Sequence, residues 1–221
     1  MEIQTPTLHK FKKNQVGNDY VVGDIHGMYI LLIESLNEIG FNFEQDRLFA
    51  VGDLIDRGPD SVKCLELCYE PWFYSVRGNH EQMAFESVIR NSESDINMWF
   101  ANGGSWFAGH DSDELRSTFH DLDDRLPYGI QIETDSGLVG IVHADVFLRH
   151  WEDNFCDDNY INQVLIWSRS RIERNDGLDV VGVDRLYVGH TPVKEKIKIN
   201  NVHYIDSGCN YSKKFFIEKI S

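Results

Sequence analysis

Five apolar runs in this chain each stop at a cluster of glycine, acid, asparagine or histidine. Helical stretches follow the first three. The stops read Gly23-Asp24-Ile25-His26-Gly27, Gly52-Asp53-Leu54-Ile55-Asp56-Arg57-Gly58, Arg77-Gly78-Asn79-His80-Glu81, His143-Ala144-Asp145 and Gly189-His190-Thr191. A strand, a polar loop and a helix in repeated order predict an α/β sheet, with ligand-binding groups gathered beyond the carboxyl ends of the strands. Strands are predicted over 20–22, 47–51 and 72–76. Each leads into a helix: 30–39 closed by Gly40, one starting at Pro59 with Val62, Leu65 and Cys68 inward, and 80–89.

The second half reads mostly as strands, over 130–133, 139–142, 186–188, 203–205 and 215–219. Helical patterns lie at 113–126 and 161–167. Residues 1–18 read as a polar leader. The aromatic stretch from Trp99 to Phe107 reads as core packing, with a substrate wall as the alternative. No element is predicted over 169–182.

At 221 residues the chain fits one domain spanning 1–221. A hydrophobic share of 42% supplies a core. The net charge of −15 argues against a nucleic-acid partner, which would require a basic footprint. It does not exclude an anionic substrate, because bound cations and a few arginines can invert the potential locally. Cys64, Cys68, Cys156 and Cys209 form no C-x-x-C pair and imply no disulfide framework. The N-terminus lacks a signal-peptide pattern, and no run approaches the roughly 20 apolar residues of a membrane span. These features predict a cytoplasmic protein with no membrane partner.

The five clusters mix carboxylate, amide and imidazole donors, a set suited to two divalent first-row ions. Asp24 and His26 are alternate residues, so an extended segment points both the same way. Asp53 has two oxygens with several lone pairs and can bridge two ions. Asn79 offers a neutral oxygen, with a helix cap as its other reading. His143 and His190 each end a strongly apolar run. His80 reads differently, as an acid facing substrate and oriented by Asp56. Arg57, Arg77 and Arg169 are candidates to fork onto phosphate oxygens, with Arg171 a rival to Arg169. His9, His110, His120, His150 and His203 lack such surroundings and read as non-catalytic.

The order D-x-H, G-D-x-x-D-R-G, G-N-H-E, H and G-H resembles the calcineurin-like metallophosphoesterases. Gly52 to Gly58 with Pro59-Asp60-Ser61, together with Arg77 to Glu81 and Trp167-Ser168-Arg169, is similar to the protein serine/threonine phosphatase branch that includes the bacteriophage lambda enzyme and its bacterial relatives. The resemblance runs from about residue 19 to 208. It implies a sandwich of two mixed β-sheets flanked by α-helices. It also implies one ion held by Asp24, His26 and Asp53, and a second held by Asp53, Asn79, His143 and His190. His80 with Asp56 would form the acid dyad, and Arg57, Arg77 and Arg169 the phosphate clamp. Manganese is the implied ion, with iron or zinc as alternatives.

The implied substrates are phosphorylated proteins or peptides, at serine or threonine and also at tyrosine. The implied chemistry is direct attack by a hydroxide shared between the two ions. A symmetrical dinucleoside tetraphosphate hydrolase on the same dimetal site is the alternative. Asp56 and Glu81 favour the protein phosphatase branch. A nuclease fits less well, because Gly189-His190-Thr191 lacks the second histidine of G-H-x-H. A non-catalytic scaffold is disfavoured because every expected ligand is present.

Overall fold

The computed structural model describes residues 8–90, 93–110, 112–175 and 177–221. Strands β1 (Leu8–Phe11) and β2 (Asp19–Val22) precede helix α1 (Tyr29–Glu38). Then β3 (Arg47–Ala50) leads to α2 (Ser61–Glu66), and β4 (Phe73–Ser75) leads to α3 (Asn79–Arg90), α4 (Glu93–Ala101) and α5 (Asp113–Arg125). The hairpin of β5 (Gly129–Thr134) and β6 (Gly137–Val142) is followed by α6 (Asn159–Trp167) and α7 (Ser170–Arg174). The chain closes with β7 (Arg185–Val188), β8 (Ile197–Ile199), β9 (Val202–Tyr204), α8 (Cys209–Ser212) and β10 (Ile217–Lys219).

Two sheets result, of order β10-β2-β3-β4 and β1-β5-β6-β7-β9-β8. Parallel pairing runs through β2, β3 and β4 in one and through β6, β7 and β9 in the other. Antiparallel pairs β10–β2, β5–β6 and β8–β9 make both sheets mixed. The two sheets pack face to face and helices cover their outer faces, as the family resemblance implies.

Alternation along the strands builds these layers. In and just after β3, Phe49 and Val51 join the core between the sheets, while Leu48 and Ala50 face α1, α2 and α3. In β7, Tyr187 points into the sandwich, and Leu186 and Val188 point outward with Leu165 and Ile166 of α6. Burying each large side chain contributes about 1.5–3 kcal/mol. The strand ends that carry the polar clusters are therefore held from both sides.

Several boundaries differ from expectation. The part of the leader that is described contains β1, which pairs in parallel with β5 from Leu8↔Gly129 to Phe11↔Ile132; residues 1–7 of the leader lie outside the described residues. Helix α2 begins at Ser61 and ends at Glu66, so Cys68 falls in a following 3-10 turn, half-buried, as is Val62. The stretch around Trp99 forms α4 and a 3-10 turn over Gly104–Gly109. Within 169–182 lie α7 and a bridge from Val181 to His150. β8 had no predicted counterpart. Among the described residues no helix is long and apolar enough to cross a membrane.

Candidate active site

Both sheets deliver site residues to one edge. Asp24 and His26 lie in the turn after β2, and Asp53, Asp56 and Arg57 in the loop after β3. Asn79 opens α3 beyond β4, His143 follows β6, and His190 follows β7. The turns are tight. His26, Asp53, Asp56, Arg57 and His190 all have positive φ, five of the eight described non-glycine residues that do. Such backbone costs of order 1–3 kcal/mol per residue and persists where surrounding structure enforces it. One glycine shows the crowding: a Cβ on Gly78 would overlap Asp53 Oδ1 and come within 2.9 Å of Glu81 Oε2.

Two groups of inward donors form, His26–Asp53–His80 and Asp53–His143–His190, and Asp53 belongs to both. His26 Nδ1 donates to the Ile55 carbonyl at 3.0 Å, His143 Nδ1 to Val51 at 2.8 Å, and His190 Nε2 to Trp167 at 3.1 Å. A carbonyl only accepts, so in each neutral ring the remaining nitrogen turns a lone pair inward. His26 Nε2 then faces Asp53 Oδ2 at 3.6 Å, and His143 Nε2 faces Asp53 Oδ1 at 3.4 Å. His143 Nε2 and His190 Nδ1 both lie 2.9 Å from Asn79 Oδ1.

Lone pairs facing lone pairs are repulsive without a cation between them, so this donor set fits metal ions. Protonation states agree at two of the three rings. Burial pushes His26 down to about 3, and burial with the neighbouring His143 pushes His190 down to about 3, which keeps both rings neutral. At His143 burial is outweighed by the Asp53 carboxylate, which draws positive charge there. Burial, with Asp206 and Asp53 alongside, raises Asp24 well above the ordinary carboxylate range. Asp24 joins the set through His26, at 3.9 Å, and through the backbone N–H of His190, which donates to Asp24 Oδ1 at 3.1 Å.

His80 is arranged differently. Its Nδ1 lies 2.6 Å from Asp56 Oδ2, and Asp56 is fully buried. Burial lowers the imidazole pKa, but Asp53 and Asp56 outweigh it and raise it above the ordinary value. Arg57 forks across the opening, with Nη1 2.6 Å from His26 Nε2 and Nη2 2.9 Å from His80 Nε2. Arg169 is exposed and donates to the His190 carbonyl at 3.2 Å.

Arg77 is placed elsewhere. Its guanidinium bonds Gln82 at 2.8 Å and the Asp123 side chain at 2.8 Å, and packs on Phe85 and Tyr128. Arg171, the rival to Arg169, is tied to Asp145 at 2.9 Å and to the Leu178 carbonyl. Asn79 is helical, and Gly78 occupies the cap, accepting from the Gln82 N–H. This leaves the Asn79 side chain free to face the two histidines. His9, His110, His120, His150 and His203 belong to neither donor group.

Four further residues support the site, and sequence reasoning named none of them as a site residue. Glu81 accepts from the N–H groups of Asp53, Leu54 and Gly78. Its position three after the helix cap is the signal that could have found it. Asp206 is buried against Asp24. It follows an apolar strand, as Asp24 and Asp53 do. The indoles of Trp99 and Trp106 both donate to Asp56; no local pattern announces that.

Fold and site together define a metallophosphoesterase. The family model for calcineurin-like phosphoesterases matches residues 20–211, and the chain belongs to that family. It is 38% identical over 203 residues to serine/threonine-protein phosphatase 1 of Salmonella typhimurium, covering 91% of each chain. It is 26% identical to an asymmetrical bis(5'-nucleosyl)-tetraphosphatase of a Geobacillus species, covering 86% of this chain and 84% of that one. A serine/threonine phosphatase structure from Saccharomyces cerevisiae shares the fold at TM-score 0.58 and 18% identity, covering 95% of this chain and 73% of that one. The family implies divalent metal ions, and the inward donor groups accommodate them.

Proposed function

We propose that this chain is a metal-dependent protein phosphatase acting on phosphoserine and phosphothreonine, with phosphotyrosine as a further substrate. The observation that carries this reading is the His80–Asp56 pair, 2.6 Å apart, with His80 at the margin of two metal-type donor groups that share Asp53 and counted in the first of them. An alkyl phosphate leaves as a strongly basic alkoxide, so a positioned proton donor is the feature its hydrolysis needs most. The 38% identity to a bacterial serine/threonine phosphatase supports the same reading.

Asp24, His26 and Asp53 would hold one ion, and Asp53, Asn79, His143 and His190 the other. When bound, the ions supply charge that polarises the phosphoryl group and acidifies water. Manganese is the proposed activating ion, with iron or zinc as alternatives, because carboxylate, amide and imidazole donors without thiolate suit first-row ions. Arg57 and Arg169 would grip the phosphoryl oxygens and orient the ester. The committed bonds of Arg77 leave it outside that clamp in this reading. His80 passes a proton to the departing seryl or threonyl oxygen as the P–O bond breaks, and Asp56 keeps the ring in line. Water provides the oxygen that remains on phosphorus.

The working unit is a single domain, with phosphoproteins as partners. Four unpaired cysteines support a reducing, cytoplasmic setting. A dinucleoside tetraphosphate hydrolase is the second reading, supported by the Geobacillus relative. The test is phosphate release by metal-stripped protein, with and without manganese, from a phosphoserine peptide and a phosphotyrosine peptide. Diadenosine tetraphosphate is followed in parallel by nucleotide product. Manganese-dependent release from the peptides supports the proposal. Cleavage of the dinucleotide alone moves the assignment to the second reading.

A further inference from the structure

Asp56 is held from three directions. Trp106 Nε1 donates to Oδ1 at 2.7 Å, Trp99 Nε1 donates to Oδ2 at 2.9 Å, and His80 Nδ1 meets Oδ2 at 2.6 Å. An indole is a donor only, and a carboxylate torsion on its own is broad and soft. One fixed donor on each oxygen sets both the position and the plane of the group. With His80 as its only partner, the Asp56 carboxylate would be free to twist, and the imidazole would follow.

The indoles are themselves braced. Trp99 is fully buried, with Phe107 at 5.2 Å and Phe119 at 5.9 Å between ring centroids. Trp106 stands edge-on to Trp99 at 6.1 Å and 88°. The turn between the two tryptophans lies against the loop that carries the carboxylate. Gly103 has φ +117, and a Cβ there would come within 3.1 Å of Arg57 Cγ and 3.3 Å of Asp56 Cβ. A Cβ on Gly104 would press into the Trp99 indole. The aromatic segment is thus built against Asp56, which is more than core filling requires. Phenylalanine would bury comparable area and offer no N–H.

We propose that Trp99 and Trp106 are positioning residues for proton delivery: their indole N–H groups hold Asp56, and through it His80, in line with the leaving oxygen of the substrate. This rests on the reading of His80 and Asp56 as the acid dyad. It gives the segment a role in the chemistry of poor leaving groups in particular, because a nitrophenolate departs without a proton and a seryl alkoxide does not.

The test uses manganese-loaded full-length protein and compares kcat on a phosphoserine peptide with kcat on p-nitrophenyl phosphate. The variants are W106F, at a half-buried ring, and W99F, at a fully buried one, with D56N as reference. The ratio of peptide kcat to nitrophenyl kcat is expected to fall about tenfold in W106F and W99F, with peptide KM within about twofold. It is expected to fall further in D56N, toward the about 10²–10⁴ of a lost general acid. A role confined to packing would lower both rates together and leave the ratio at the wild-type value; that result in the folded W106F protein, beside a lowered ratio in D56N, overturns the inference and spares the dyad. An unchanged ratio in D56N overturns the dyad itself. Circular dichroism and metal content establish that each compared variant is folded and loaded, and if W99F does not fold, W106F decides alone.

Discussion

Glu81 Oε2 accepts the backbone N–H of Asp53 at 2.9 Å, joining the start of α3 to the loop after β3. The same carboxylate takes the N–H groups of Leu54 at 2.8 Å and Gly78 at 2.9 Å. It therefore sets the spacing between the segments that carry Asp53 and Asn79. Glu81→Gln keeps the volume but replaces one acceptor oxygen with a donor facing N–H groups. We expect a loss of about 1–3 kcal/mol in urea unfolding together with reduced metal content. Wild-type stability with full metal content would show that Glu81 does not hold the two segments.

His80 and Asp53 should separate cleanly. His80→Asn removes the proposed proton donor and leaves the six proposed ligands Asp24, His26, Asp53, Asn79, His143 and His190 in place, so kcat on a phosphoserine peptide should drop about 10²–10⁴-fold with metal content largely retained. Asp53→Asn weakens the one residue shared by both donor groups, so metal analysis should find both ions depleted. Loss of both ions from the His80 variant would refute the assigned roles.

Arg57 sits with Nη1 2.6 Å from His26 Nε2. A guanidinium only donates, so here it covers a lone pair that an ion would use. In Arg57→Ala, metal affinity should stay level or rise, while KM for a phosphopeptide rises about tenfold or more through loss of a charge-assisted contact to phosphate. Titration calorimetry with manganese, beside steady-state kinetics, reads both quantities. Weaker metal binding would contradict this account.

Gly78→Ala adds a methyl group against Asp53 Oδ1 and Glu81 Oε2. Those groups are buried and bonded to backbone, so Asp53 must move. A displacement near 1 Å in a reacting site can cost about 10²-fold in rate. The variant should keep its secondary structure and lose metal-dependent turnover on that scale. Near-normal kcat would mean that the loop relaxes more freely than its contacts indicate.

The strand ends and their polar residues were legible because each is local. An apolar run stopping at Gly52-Asp53 or Gly78-Asn79 shows the carboxyl end of a strand in a few letters. Strand β1 was not legible. Its Leu-His-Lys-Phe is polar enough to read as leader, and it becomes a strand only because β5 offers an edge. The role of Trp99 and Trp106 depends on a contact spanning more than forty residues of chain, for which no local pattern exists. Arg77 shows the converse. Its neighbours in sequence suggested phosphate, whereas Asp123 and Gln82, reached only through folding, engage its guanidinium.

Asp24, Asp53 and Asn79 come from one sheet of the sandwich, and His143 and His190 come from the other. Ions bound among them would act as a clasp across the two halves of the molecule. Ligand-linked stabilisation grows with saturation, about 2.7 kcal/mol at a hundredfold excess over Kd. A cell that starves this protein of metal would then do more than silence it: the two halves would come apart more easily, and heat and proteases would clear the idle molecules first.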